Sequence, residues 1–245
     1  MNKRFQGQVA IVAGGARGIG NGIARRLAQE GAKVIIGDMR HGQKPAPEQS
    51  NIDFNLLDIT QEEEVSGFVN NVYNQYKRLD IMVNCAGIVG PTSRKITDYD
   101  YQDFNKVLAV NLQGAFLITK YCIEPMLKHN YGRILHMTSV GGKEGNPGMI
   151  GYAASKSGLI GLVKGIGKEY AETGITVNGL APAVIATEFN ENTDPKTLQY
   201  MVDKIPMKRL GTVEEVAALS CWIVSKEASF NTGCVFDLSG GRATY

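Results

Sequence analysis

The chain has 245 residues and a mass of 26.6 kDa, 43% of it apolar and 20% charged, which suits one large α/β domain over residues 1–245 that needs no disulfide or metal staple. Its 26 basic and 24 acidic residues leave a net charge of +2, too balanced for a nucleic-acid footprint. With no apolar run long enough to span a membrane and no apolar stretch in the opening Met-Asn-Lys-Arg-Phe-Gln-Gly-Gln, the expectation is a soluble, cytoplasmic protein without membrane partners.

Short apolar runs alternate with helical periods along the whole chain, the pattern of a parallel sheet covered on both faces. A first strand at Gln8–Ala13 leads through a glycine-rich turn into a helix that ends near Glu30. A second strand covers Lys33–Gly37, and His41–Ser50, with Pro45 and Pro47 and no apolar period, reads as a loop. After a third strand at Ile52–Leu57, the 3.6-residue spacing of Val65, Phe68, Val69, Val72, Tyr73 and Tyr76 marks one helix face. A fourth strand at Asp80–Asn84 precedes a helix with Phe104, Val107, Leu108, Leu112, Ala115 and Phe116 on one face. The remaining elements are strands at Gly132–Thr138, Ile175–Ala181 and Cys234–Asp237, and a helix over Tyr152–Glu172 closed by Gly174. The fold expected is a doubly wound, Rossmann-type α/β sheet of seven parallel strands with helices on both faces.

The chemistry starts at the first turn, Gly14-Gly15-Ala16-Arg17-Gly18-Ile19-Gly20. Glycines between a strand and a helix let the backbone approach a pyrophosphate seated on the positive helix end. Such a turn alone can be a tight junction with nothing bound, but Asp38 ends the next strand, where a carboxylate can accept both ribose hydroxyls of an adenosine. Tyr152 and Lys156, at i and i+4, share a helix face. An ammonium there favours the phenolate and is expected to pull the tyrosine pKa down; the pair alone can equally be a surface pair. Ser139 ends the fifth strand at the sheet edge where ligands bind, with a hydroxyl suited to a carbonyl oxygen. Asn111 falls on an apolar helix stripe, where its carboxamide must find partners. Cys85, Cys122, Cys221 and Cys234 form no CxxC, and His41, His129 and His136 have no ligand spacing, so no metal is expected.

Taken together these motifs resemble the short-chain dehydrogenase/reductase family over the whole chain. Ala13-Gly14-Gly15-Ala16-Arg17-Gly18-Ile19-Gly20 is similar to its TGxxxGxG turn, Asp58 to its acidic residue after the third strand, and Asn84-Cys85-Ala86-Gly87 to its NNAG strand end. Asn111, Ser139, Tyr152 and Lys156 match its catalytic set, and Pro182 and Thr187 its nicotinamide-contacting segment. The resemblance implies hydride transfer between a nicotinamide and a carbinol carbon. Tyr152 exchanges the proton and also borders the cofactor, Ser139 positions the substrate oxygen, Lys156 tunes Tyr152 and binds the ribose, and Asn111 holds a water that relays protons to Lys156. It also implies a homotetramer. Three departures stand out. Ala13 replaces a threonine, Cys85 replaces the second asparagine and reads as packing, and Ala183 replaces a glycine.

Asp38 favours NAD over NADP, because a carboxylate accepts from a 2′-hydroxyl and repels a 2′-phosphate; Arg17 and Arg40 oppose it. Polar loops, Gly141–Pro147 and Thr187–Asn192, frame the expected pocket, with Arg94, Lys143 and Asn146 as candidates to contact a small polar substrate. The Gly-Lys-Glu-Gly-Asn-Pro-Gly segment and the ending resemble members that oxidise 2-keto-3-deoxy sugar acids; the alternative is a 3-oxoacyl-thioester reductase. A third reading, a non-catalytic redox sensor, sits poorly with an intact proton-transfer set. Arg242-Ala243-Thr244-Tyr245 is expected to seal an oligomer interface or cover a neighbour's pocket.

Overall fold

In the computed structural model, the structure describes residues 3–39, 51–188 and 195–245. Seven strands, β1 (Val9–Ala13), β2 (Lys33–Asp38), β3 (Ile52–Leu56), β4 (Ile81–Asn84), β5 (Gly132–Met137), β6 (Ile175–Pro182) and β7 (Val235–Leu238), pair in parallel in the order β3-β2-β1-β4-β5-β6-β7. Every expected strand is present with its ends within one residue. β1, β4, β5 and β6 are buried along their whole length, so each is mainly apolar on both faces, and that is why they read as apolar runs. The loop expected at His41–Ser50 lies outside the described residues.

Helices cover both faces. On one, Ile23 and Leu27 of α1 (Gly18–Gln29) pack with Val216 and Cys221 of α8 (Val213–Ile223) against β1, β2 and β4. On the other, Val65, Phe68, Val69 and Val72 of α2 (Glu62–Tyr76) pack with Ile118, Cys122 and Met126 beyond them. Each fully buried leucine or isoleucine contributes about 1.5–3 kcal/mol by leaving water. The chain leaves β1 toward β2 on one side and reaches β4 on the other, so a crevice opens at the carboxyl edge between β1 and β4.

Two local readings are corrected. The helix stripe Phe104–Phe116 is not one helix: α3 (Tyr101–Leu108) passes through a π-helical turn, Ala109–Gln113, into α4 (Gly114–Lys128). The wider turn shifts the helix phase, so Ala115 and Ile118 are buried while Phe116 is 48% exposed. The long helix α6 spans Ile150–Glu169, and Gly174 lies beyond its cap. Gly174 instead permits a backbone approach: a Cβ there would lie 1.8 Å from the Asn130 carbonyl oxygen. The other helices are α5 (Val140–Glu144) and α7 (Pro195–Asp203).

Candidate active site

The glycine turn after β1 is a cradle that side chains would fill. Gly14 has φ +72°, and a Cβ on it would lie 2.5 Å from the Ala86 nitrogen; a Cβ on Gly20 would lie 2.1 Å from the Gly14 carbonyl oxygen. Gly18 is also left-handed, with Thr187 across from it. Arg17, extended at the N-cap of α1, offers no side-chain acceptor, so the first amides of the helix, including those near Ile19, face the crevice with the positive end of the dipole. Asp38 ends β2 beside this turn and accepts from the Ala16 N–H at 3.1 Å. These features fit a dinucleotide, whose pyrophosphate needs close backbone approach and free helix-end amides. Ala86 and Gly87 follow β4, and Pro182 ends β6 at the same edge. Asp58 is turned toward the start of α2, its Oδ1 accepting from both the N–H and the hydroxyl of Thr60.

Ser139, Tyr152, Lys156 and Asn111 meet at the carboxyl ends of β4 and β5. Ser139 caps α5, its Oγ accepting from Gly141 N–H at 3.0 Å, and its side chain reaches the Tyr152 phenol. Lys156 Nζ lies 5.8 Å from the Tyr152 ring centre and donates to the Met137 carbonyl at 2.8 Å. The expected fall in the tyrosine pKa does not occur. Burial raises it above the ordinary phenol value, with the hydrogen bond from Ser139 opposing the rise. Burial also brings Lys156 down to about 8, so it is still mostly charged at neutral pH. Asn111 sits in the π turn, fully buried. Its Nδ2 donates to Ile88 O and Ser155 Oγ, both at 2.9 Å, and its Oδ1 accepts from Ile88 N–H at 2.8 Å. The carboxamide hydrogens are thus committed to protein, and Oδ1 and Lys156 Nζ both border Gly87, 3.2 and 3.5 Å from where a Cβ on it would lie. Burial pushes the Cys85 thiol up to about 12, so it stays protonated.

A second chain of hydrogen bonds escaped the sequence reading. Asn84 Oδ1 accepts from Ala86 N–H, and Asn84 Nδ2 faces His136 Nδ1 at 3.4 Å. His136 Nε2 lies 2.9 Å from Thr119 Oγ1, whose own hydrogen goes to Ala115 O. Thr119 must therefore accept, which fixes His136 as the Nε2–H tautomer and leaves Nδ1 to accept from Asn84. The turn after β4 is thereby tied to α4. The available signal was a polar residue inside a strand buried on both faces, which needs partners. Burial, with the Lys156 charge adding to it, lowers the His136 pKa to about 3. Because the unfolded imidazole takes a proton near 6.5, stability falls as pH drops below that value toward 3. Between pH 7 and 5 this one group should cost about 2 kcal/mol. Urea unfolding at the two pH values should show that loss in the wild-type chain and about 2 kcal/mol less of it in His136→Gln; equal losses would mean that His136 titrates normally.

The substrate candidates separate. Asn146 approaches the centre: a Cβ on Gly141 would lie 2.9 Å from Asn146 Nδ2, 3.4 Å from Ser139 Oγ and 3.5 Å from Tyr152 Cε1. Arg94 is exposed, its main chain donating to Gly148 O at 3.2 Å. Lys143 is a correction. Its side chain is only 5% exposed and its ammonium is paired with Asp237 at 3.1 Å and bonded to the main-chain oxygen of Tyr245, so it is committed to the tail rather than to a ligand. The tail is ordered within its own chain. It folds onto its own α5, with Tyr245 O–H donating to Lys143 O at 2.6 Å and Arg242 bonding Glu144. Of the polar loop Thr187–Asn192, residues 189–192 lie outside the described residues.

A family model described as enoyl-(acyl carrier protein) reductase matches residues 14–243. A 2-dehydro-3-deoxy-L-rhamnonate dehydrogenase (NAD(+)) from Sphingomonas sp. (strain SKA58) is 39% identical over 245 residues, covering 99% of this chain and 98% of the relative. A 3-oxoacyl-[acyl-carrier-protein] reductase FabG from Thermotoga maritima is 35% identical over 244 residues, covering 97% and 98%. A solved structure titled crystal structure of gox2181 superposes with a TM-score of 0.90 at 29% identity, covering 98% of this chain and 97% of the other.

Proposed function

The chain belongs to the short-chain dehydrogenase/reductase family, and from that premise we propose that it is an NAD-dependent dehydrogenase of a small 2-keto-3-deoxy sugar acid. The observation that carries this reading is the meeting of Ser139 Oγ, the Tyr152 ring and Asn146 Nδ2 around Gly141. A proton-transfer pair with an amide donor beside it suits a carbinol flanked by further oxygens. The dehydrogenase relative supports the same substrate class.

In this reading Gly14, Arg17, Gly18, Ile19 and Gly20 would hold the dinucleotide pyrophosphate. Asp38 accepts from the adenosine ribose, and Asp58, Asn84, Ala86 and Gly87 line the adenine and ribose side. Pro182 and Thr187 border the nicotinamide. When bound, the nicotinamide supplies hydride acceptance at a fixed face. The rest is done by the chain. Ser139 donates its hydroxyl to the substrate oxygen, and Tyr152 takes the carbinol proton in oxidation or returns it in reduction. Lys156 sets positive charge near the phenol and would hold the nicotinamide ribose. Asn111 locks Ile88 against α6 and, through its Oδ1, orders a water that relays protons to Lys156.

A second reading, a 3-oxoacyl-thioester reductase, is favoured by the reductase relatives. The two separate in one assay: 2-keto-3-deoxy sugar acids, polyols and 3-oxoacyl thioesters, each with both nicotinamide cofactors. Highest kcat/KM for a sugar acid with NAD supports the first reading, and highest kcat/KM for a thioester supports the second. Tight NADH binding without turnover of any compound would leave a redox sensor. The family resemblance also supports a cytoplasmic homotetramer, for which light scattering would give a mass near four times 26.6 kDa.

A further inference from the structure

Around Asn146 the chain is shaped by two left-handed glycines, Gly145 at φ +73° and Gly148 at φ +78°, with Pro147 between. This brings the Asn146 carboxamide close to Ser139 and Tyr152, an approach that a Cβ on residue 141 would obstruct, since it would lie 2.9 Å from Asn146 Nδ2. What fixes the carboxamide comes from the other end of the chain. Arg242 Nε and Nη2 donate to Glu144 Oε2 at 3.0 and 2.8 Å, and Nη2 also reaches Asn146 Oδ1 at 3.4 Å. The Arg242 side chain is 10% exposed, so its fork is held against α5 rather than waving in solvent. Beside it, Ser239 Oγ bonds Asp237 and accepts from Ala243 N–H at 2.9 Å, and Lys143 joins Asp237 to Tyr245.

A guanidinium has donors only, so the atom that faces it must be the amide oxygen. The amide nitrogen then points away from Arg242, toward Gly141 and the reacting pair. We infer that Arg242 is a positioning residue for substrate selection: it holds Asn146 with its N–H donors turned to the Ser139–Tyr152 pair, selecting substrates that carry an acceptor oxygen beside the carbinol. A substrate without that oxygen leaves the donors unpaired, and a site built to hydrogen-bond rejects such an analogue. The inference rests on the dehydrogenase reading for its substrate class, but not for the linkage between the two residues.

The test compares wild type, Arg242→Ala, Arg242→Lys, Asn146→Ala and the Arg242→Ala/Asn146→Ala double variant. The substrate is 2-dehydro-3-deoxy-L-rhamnonate, with 2-butanol as the alcohol lacking a second oxygen. Arg242→Ala is expected to raise KM for the acid about tenfold with kcat changed less than about twofold, the size of one hydrogen bond. Values for 2-butanol and the fluorescence titration of NADH should be unchanged. Arg242→Lys should recover part of the loss, since one ammonium cannot span Glu144 and Asn146 as a fork does. The double variant should be no worse than Asn146→Ala alone. Multiplicative losses in the double variant, or a parallel loss for acid and alcohol with only a lower Tm, would overturn the linkage. If Arg242→Ala does not fold, Arg242→Lys and its double variant with Asn146→Ala carry the comparison. If wild type turns over acetoacetyl-CoA and not the acid, the substrate reading has failed. The same cycle run on acetoacetyl-CoA then decides the linkage by itself.

Discussion

Tyr152→Phe should lose about 10²- to 10⁴-fold in kcat while binding NADH as wild type does. The substitution removes one oxygen from a half-buried ring that stays packed between Ser139 and Lys156. The dinucleotide cradle, at the exits of β1, β2 and β4, keeps all its groups. Ser139→Ala would be a poorer probe, because Ser139 also caps α5 through Gly141 N–H, and losing a cap costs about 1 kcal/mol in its own right. Rapid kinetics and NADH fluorescence titration on the same preparation give both readings. A Tyr152→Phe enzyme that kept more than about a tenth of wild-type kcat would show that the proton passes elsewhere. Burial raises the phenol's pKa, so the proton stays on the oxygen through neutral pH. Carbonyl reduction, which needs that proton, should hold its rate up to neutral pH, and carbinol oxidation, which needs the phenolate, should climb as pH rises above it. Tyr152→Phe should abolish this opposition of slopes.

Which parts of this molecule could be read from its residues follows from how local each determinant is. β1, β4, β5 and β6 are buried on both faces, so each stands out as an apolar run, and strand–helix alternation points to a parallel sheet. Asp38, Ser139, Tyr152 and Lys156 occupy strand ends or a single helix face, places defined by short spacings. What the spacing hides is long-range partnership. Lys143 looks like a cation at the mouth of a pocket until Asp237, from β7, is seen to take its charge. Nothing local in the tail shows that Arg242 bonds Glu144 of its own chain. The π turn defeats period counting for a different reason: one extra residue per turn changes the phase without changing the composition, so Phe116 lands outside the stripe it was assigned to. Only Asn111 hinted at it, as a carboxamide where an apolar side chain was due.

Cofactor choice is expected to turn on the carboxylate at the end of β2. Wild-type enzyme should prefer NAD(H) over NADP(H) by roughly 100-fold or more in kcat/KM. The Asp38 carboxylate is held at the glycine turn by the Ala16 N–H, so it cannot simply swing away from a phosphate placed on the adenosine ribose. At about 5 Å and an effective dielectric of about 20, a monoanion repels a dianion by several kcal/mol, and 100-fold needs only about 2.7. Arg17 opposes this, but it is exposed and extended at the N-cap of α1, where water screens a guanidinium. Arg40 lies outside the described residues. Two variants divide charge from structure. Asp38→Asn keeps an acceptor for Ala16 N–H and removes only the charge, so it should shrink the preference mainly by improving NADP(H). Asp38→Ala also takes away that acceptor, loosening the turn that both cofactors use, and should lower NAD(H) efficiency as well. Matched kcat/KM and titrated Kd values for the two cofactors in wild type and both variants measure this directly. Comparable wild-type efficiencies, or an Asp38→Asn enzyme that keeps the full preference, would place the discrimination on the arginines rather than on this carboxylate.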